Sequence, residues 1–179
     1  MRMQVNPHTQ SAIIFLNSGK VAKIKDPNAM RKGHFRGLPG ISSSLEQEAD
    51  MQARLHDIGL PFPQPYGIHH ISVPLSPDLP NYVQSRQPAL IMDRIDNVIA
   101  IPSKDITEVL RQANDALALA HNHGLRPYDD NPENLLWNPS TKRVHFVDAE
   151  LWRENPWGIV AAYTEEMLKT NQRYQTSRS

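Results

Sequence analysis

The run Gly124-Leu125-Arg126-Pro127-Tyr128-Asp129-Asp130-Asn131-Pro132-Glu133-Asn134-Leu135-Leu136-Trp137, followed by Val144-His145-Phe146-Val147-Asp148, decides how this chain is read. It spells a turn, a short apolar strand, a tight connection and a second apolar strand, with acidic and amide groups at the strand ends. Pairing Leu135–Trp137 with Val144–Val147 across Asn138–Arg143 centres the fold-back near Ser140 or Thr141. That register sets Asn134 opposite Asp148 at the hairpin mouth, about 5 Å apart at the Cα atoms. Asp129 lies just upstream, on the loop feeding the mouth. Two oxygen ligands side by side, with a third carboxylate nearby, suit a hard cation such as Mg²⁺.

Composition narrows what else the chain can be. Its 179 residues are enough for one domain with a real core. With 19 basic and 19 acidic residues, no long-range field favours nucleic acid or a membrane surface. Cysteine is absent, which excludes disulfides and thiolate metal sites. No apolar run approaches the roughly 20 residues of a membrane span, and Met1–Pro7 has no apolar stretch of a secretory leader. The 8 histidines include His69-His70 and His121-Asn122-His123, but none falls in a His-Glu-x-x-His arrangement, so zinc is not expected. The basic stretch Met30–Gly37 reads as a solvated loop.

Working outward, Ser11–Leu16 and Lys20–Lys25 read as strands joined by the turn signal Asn17-Ser18-Gly19. Ser44 with Gln47 forms a capping-box pattern that opens a helix over about Leu45–Ile58, closed by Gly59. Strands follow near Tyr66–Ile71 and Ala89–Ile95, with a proline-punctuated excursion between them. A long helix is expected from Asp105, with Glu108 at the capping-box position, to His123. Its apolar stripe is Val109, Ala113, Ala116, Leu117 and Ala120, and Gly124 ends it. Trp157–Asn171 reads as a last helix.

One carboxylate stands out. Glu48, Met51, Leu55 and Ile58 step by three, four and three, so they share a helical face that is otherwise apolar. A carboxylate turned toward protein needs a cationic partner, because burying it alone is costly. Lys23, in the strand Val21-Ala22-Lys23-Ile24, is the natural partner, although the alternation of that strand does not by itself decide which face Lys23 takes.

The block from Asp129 to Asp148 resembles the catalytic core of the protein-kinase-like fold. The family's pattern is a catalytic-loop Asp, an Asn five residues later, and a metal-binding Asp at the end of the next hairpin. Asp129, Asn134 and Asp148 match those positions, and Pro132-Glu133-Asn134-Leu135-Leu136 is close to the family's wording. Pro127 and Tyr128 replace the usual His-Arg, Asp148-Ala149-Glu150 replaces Asp-Phe-Gly, and Asn6–Gln10 holds no glycine where the phosphate-cradling loop belongs. The resemblance implies an α+β, two-lobed fold with a small strand-rich N-lobe to about residue 95 and a truncated helical C-lobe from about 96. The short span after Asp148 makes the chain similar to the minimal effector kinases of pathogenic bacteria.

What the resemblance implies for chemistry is Mg²⁺-dependent transfer of the γ-phosphoryl group of ATP to a protein Ser or Thr hydroxyl. Lys23, aligned by Glu48, holds the phosphates, with Lys25 the second candidate for that lysine. Asn134 and Asp148 bind the metal, and Asp129 orients the acceptor hydroxyl. Ile14, Ala22 and the segment Met92-Asp93-Arg94-Ile95 meet the adenine. The expected partners are a protein substrate, a host protein in the effector case, and an activating protein. The expected location is the cytoplasm, or a host cell into which the protein is secreted. Two other readings stay open: a small-molecule kinase of the aminoglycoside or choline type, suggested by Gly59-Leu60-Pro61-Phe62-Pro63, and a pseudokinase that serves as a binding module.

Overall fold

A computed structural model describes residues 2–5, 11–25, 44–73, 86–99, 101–128, 131–155, 158 and 160–176. Asp129, the 6–10 connection and the basic stretch 30–37 lie outside the described residues. The chain divides into two compact units, Met1–Asp50 with Gln64–Arg94, and Met51–Pro63 with Ile95–Ser179. The second unit therefore includes Met51–Pro63, a segment that the sequence reading assigned to the first lobe.

The first unit is built on an antiparallel sheet of five strands: β1 (Arg2–Val5), β2 (Ser11–Phe15), β3 (Lys20–Lys25), β4 (Pro65–Ser72) and β5 (Arg86–Asp93), in the order β1-β2-β3-β5-β4. Gly19, at φ +70°, closes the β2–β3 turn, where the Leu16 amide donates to the Lys20 carbonyl at 2.9 Å. The register pairs Ile13 with Lys23 and Ile14 with Ala22. Because side chains alternate along a strand, β3 divides its buried residues between two apolar layers. Ala22 and Ile24 join Ala12, Ile14, Ala89 and Ile91 on one face. Val21 joins Leu90 and Met92 on the other, packed with Leu45 and Ala49 of helix α1 (Leu45–Asp57). β5 ends at Asp93, so Arg94 and Ile95 follow the strand instead of belonging to it.

Helix α1 starts and stops where its sequence signals lie. The Gln47 amide donates to Ser44 Oγ at 3.2 Å and the Ser44 amide to Gln47 Oε1 at 3.0 Å, a reciprocal capping box. At the other end the Leu60 amide reaches the Leu55 carbonyl (3.1 Å) and the Gly59 amide the His56 carbonyl (2.9 Å), with Gly59 at φ +89°. This is the Schellman pattern, and the buried pair Leu55 and Leu60 supplies its apolar contact.

The second unit is organised by α2 (Ile106–Asn122), whose buried side chains are Ile106, Val109, Ala113, Ala116, Leu117 and Ala120. The capping box expected at Asp105 and Glu108 does not form. Asp105 Oδ2 instead accepts from the Trp137 indole at 3.1 Å, and Glu108 turns to Arg111 and Gln112. A bond to a buried indole satisfies a group that would otherwise be orphaned in the core, whereas the helix amides can be met by water. Against α2 lies the hairpin of β7 (Leu135–Asn138) and β8 (Arg143–Phe146), and a short ladder of β6 (Leu125–Pro127) with β9 (Trp152–Glu154) adjoins it in sequence. Phe62, Phe146 and Trp152 form an aromatic cluster with ring centroids 5.5–5.9 Å apart. The last helix, α3 (Glu165–Thr176), begins well after Trp157. Its start is fixed by Thr164, whose Oγ1 accepts from the Met167 amide at 3.3 Å.

Candidate active site

The candidate residues form two groups, one in each unit. In the first, strand alternation aims Lys23 at the face that carries α1, and the helical stripe aims Glu48 at the same layer. Lys23 Nζ lies 2.6 Å from Glu48 Oε1, with 6% of the lysine side chain and 1% of the glutamate exposed. Lys25, two residues on and hence on the same face, sits 3.1 Å from Glu48 Oε2 with 6% of its side chain exposed. That second contact is an ion pair without hydrogen-bond alignment. A charge so thoroughly removed from water is tolerable only when paired, because stripping away one partner of a buried pair costs about 3–5 kcal/mol.

Ile14 and Ala22 do not share this face. Both are fully buried in the opposite apolar layer, since the register that puts Lys23 beside Ile13 puts Ala22 beside Ile14. The sheet residues that share Lys23's layer are Val21, Leu90 and Met92, packed with Leu45 and Ala49 of α1, and with Ile13, Phe15 and Ile68 at its edge. Of the proposed adenine segment, Met92 is buried there, and Asp93 accepts a hydrogen bond from the Tyr66 hydroxyl at 3.0 Å. The Arg94 amide donates to the Gly19 carbonyl at 3.0 Å. Ile95, half-buried, falls in the other unit.

In the second unit a single turn of 3-10 helix, Pro132–Asn134, leads into β7, and Asn131 caps it by accepting from the Glu133 amide at 3.0 Å. Across the hairpin the Val147 amide donates to the Asn134 carbonyl at 2.9 Å. Asn134 therefore faces Val147, one residue short of the sequence-derived pairing with Asp148, because the ladder runs Leu135 to Phe146 and Asn138 to Arg143. Asp148 follows immediately in left-handed backbone (φ 65°) and caps the next turn by accepting from the Glu150 amide at 3.3 Å. Left-handed backbone is rare for a residue with a Cβ and is best tolerated by Asn and Asp.

The donor chemistry here fits Mg²⁺. Asp148 and Glu150 bring carboxylate oxygens within 4.8 Å of each other, and Asn134 is joined to the same hairpin mouth. These are hard oxygen donors with neither imidazole nor thiolate among them, the set that Mg²⁺ prefers. Sequence reasoning gave Glu150 no metal role and took Lys25 only as an alternative to Lys23, not as a second partner of Glu48. The two-residue spacing of Lys23 and Lys25 on one strand was the available signal for that second partner.

Among the described residues, no helix is long and apolar enough to cross a membrane. No family model and no curated protein sequence matches the chain. Among solved structures the chain is similar to the Cydia pomonella granulovirus kinase PK-1, with a TM-score of 0.52 and 16% identity. The match covers 86% of this chain and 54% of the viral kinase, so the chain spans about half of that protein. At this identity the likeness establishes the fold: the chain has an α+β, protein-kinase-like fold.

Proposed function

We propose that the protein transfers the γ-phosphoryl group of ATP to a Ser or Thr hydroxyl of a protein substrate. The observation that carries this reading is the buried ion pair of Lys23 and Glu48 in a kinase-like sheet. An isolated lysine there would be an unpaired buried charge, and the pair keeps its ammonium fixed and charged for a phosphate. Lys23 binds the α- and β-phosphates, and Glu48 orients it. Asn134 and Asp148 hold Mg²⁺, with Glu150 the adjacent carboxylate, and the bound ion supplies neutralising charge for the triphosphate. Asp129 orients the acceptor hydroxyl and takes up its proton as the new bond forms. The adenine packs on Lys23's layer, against Val21 and Met92, and not against Ile14 and Ala22.

The acceptor in this proposal is a host protein, with an activating protein as a further partner. The test is an assay with γ-labelled ATP and Mg²⁺, run in parallel on a host-type cell extract and on a panel of small alcohols and aminoglycosides. Label entering protein supports the reading. Label entering only small molecules replaces it with a small-molecule kinase. Bound ATP with no transfer to either leaves a binding module.

A further inference from the structure

Glu48 is held by two lysines, whereas the proposed chemistry uses only one. We propose that Lys25 is a positioning residue that retains Glu48 while Lys23 engages the nucleotide phosphates, an inference that rests on the proposed phosphoryl-transfer reading. The two ammonium groups come from alternate positions of β3, so both project onto the α1 face and divide one carboxylate between them. Lys23 lies 2.6 Å from Oε1 and Lys25 lies 3.1 Å from Oε2. All three side chains are at least nine-tenths buried, which leaves little room for the carboxylate to swing to another partner.

The physical consequence concerns what happens when a phosphate arrives. An ammonium has three donors, and a phosphate draws Lys23 toward itself. If Lys23 were the sole cation on Glu48, each step toward the phosphate would strip a buried carboxylate of its counter-charge, and that cost would oppose nucleotide binding. With Lys25 on the second oxygen, Glu48 stays paired and fixed, so Lys23 can share its donors between Oε1 and the phosphate. Lys25 thus acts through Glu48 and need not touch the nucleotide.

The experiment is a double-mutant cycle on the full chain: wild type, Lys25→Met, Glu48→Gln and the double variant, with Lys25→Arg as the conservative control. Two readouts are taken, the melting temperature without ligand and the Kd for Mg·ATP by calorimetry. We expect Lys25→Met to weaken Mg·ATP about tenfold, with Lys25→Arg within about threefold of wild type. In the Glu48→Gln background, Lys25→Met should weaken binding by less than about twofold further, because its route of action is already gone. In the transfer assay the loss should fall mainly on KM for ATP, with kcat little changed. Unchanged ATP affinity in Lys25→Met overturns the inference. So does an equal loss with and without Glu48, which would mean that Lys25 acts independently of the carboxylate. If the wild type binds no Mg·ATP, the functional reading and the inference both fall. The ligand-free melting cycle then identifies which premise failed: coupled melting shifts keep the two-lysine grip and locate the error in the function, and uncoupled shifts remove the grip itself.

Discussion

The Val147 amide donates to the Asn134 carbonyl at 2.9 Å, which carries the β7–β8 ladder one step past Leu135 and Phe146 and makes Asp148 the first residue beyond it. Asp148 leaves the ladder in left-handed backbone, φ 65°. Such backbone costs a residue with a Cβ about 1–2 kcal/mol and glycine almost nothing. Asp148→Gly should therefore be more stable than Asp148→Ala by about 1 kcal/mol, while both lose the Mg²⁺-dependent tightening of ATP. Urea denaturation of the two variants checks the ordering, and equal midpoints would show that the turn is not left-handed in solution.

Gln112 of α2 serves as a surrogate strand for the hairpin. Its Oε1 accepts from the Val144 amide at 3.0 Å and its Nε2 donates to the Lys142 carbonyl at 2.8 Å. Gln112→Leu removes both partners at once. We expect a loss of about 1 kcal/mol, because the part-buried Val144 amide loses its partner while the exposed Lys142 carbonyl can turn to water. Amide exchange at Val144 should accelerate selectively, and an unchanged exchange rate there would contradict the assignment.

Glu108 gives the fold a pH dependence of known sign. Hydrogen bonds from Arg111, and then from Gln112, hold its carboxyl at about 2, below the ordinary 4.5. The folded state thus binds this proton less readily than the unfolded chain. The resulting stabilisation is present above about pH 4.5 and is lost as the pH falls toward 2. Solvent screening keeps the effect small at so exposed a site. Glu108→Gln should flatten that acid limb of the melting-temperature profile, and parallel limbs in the variant and wild type would refute the linkage.

The proposed placement of the adenine on Val21's layer can be tested by substitutions on the two faces of β3. Ile14→Val, in the layer away from Lys23, should cost about 0.5–1.5 kcal/mol of stability and leave ATP affinity alone. Val21→Phe, on Lys23's layer, should weaken ATP binding at least tenfold in protein that still melts cooperatively. Calorimetric titration of both variants decides the matter, and the reverse pattern would return the adenine to Ile14 and Ala22.

Much of this fold is written in local signals. Ser44 with Gln47 and Gly59 bound α1, and the Val109-to-Ala120 stripe buries as its spacing requires, because caps and helical periodicity act over a few residues. The strands β1, β6 and β9 escaped notice because three or four residues carry too little alternation to read, and β6 ends in Pro127. Asp105 looked like a cap and became a partner for Trp137, a long-range choice that no local pattern encodes. At the candidate site, the spacing along α1 already turned Glu48 inward. That Val21, and not Ala22, accompanies Lys23 follows from alternation, whereas the adenine contacts Ile14 and Ala22 came from the family's wording and lie in the opposite layer. The one-residue offset between Asn134 and Asp148 depended on where the hairpin folded back, which Asn138 sets by accepting from the Ser140 and Thr141 amides at 3.0 and 3.1 Å.

The most direct test of the central claim compares Mg²⁺-dependent transfer of labelled γ-phosphate by wild type, Lys23→Ala and Asp148→Ala, each verified as folded by its melting curve. The account expects label in a protein acceptor with wild type and a loss of at least a hundredfold in both variants. Transfer that persists in either folded variant would contradict it.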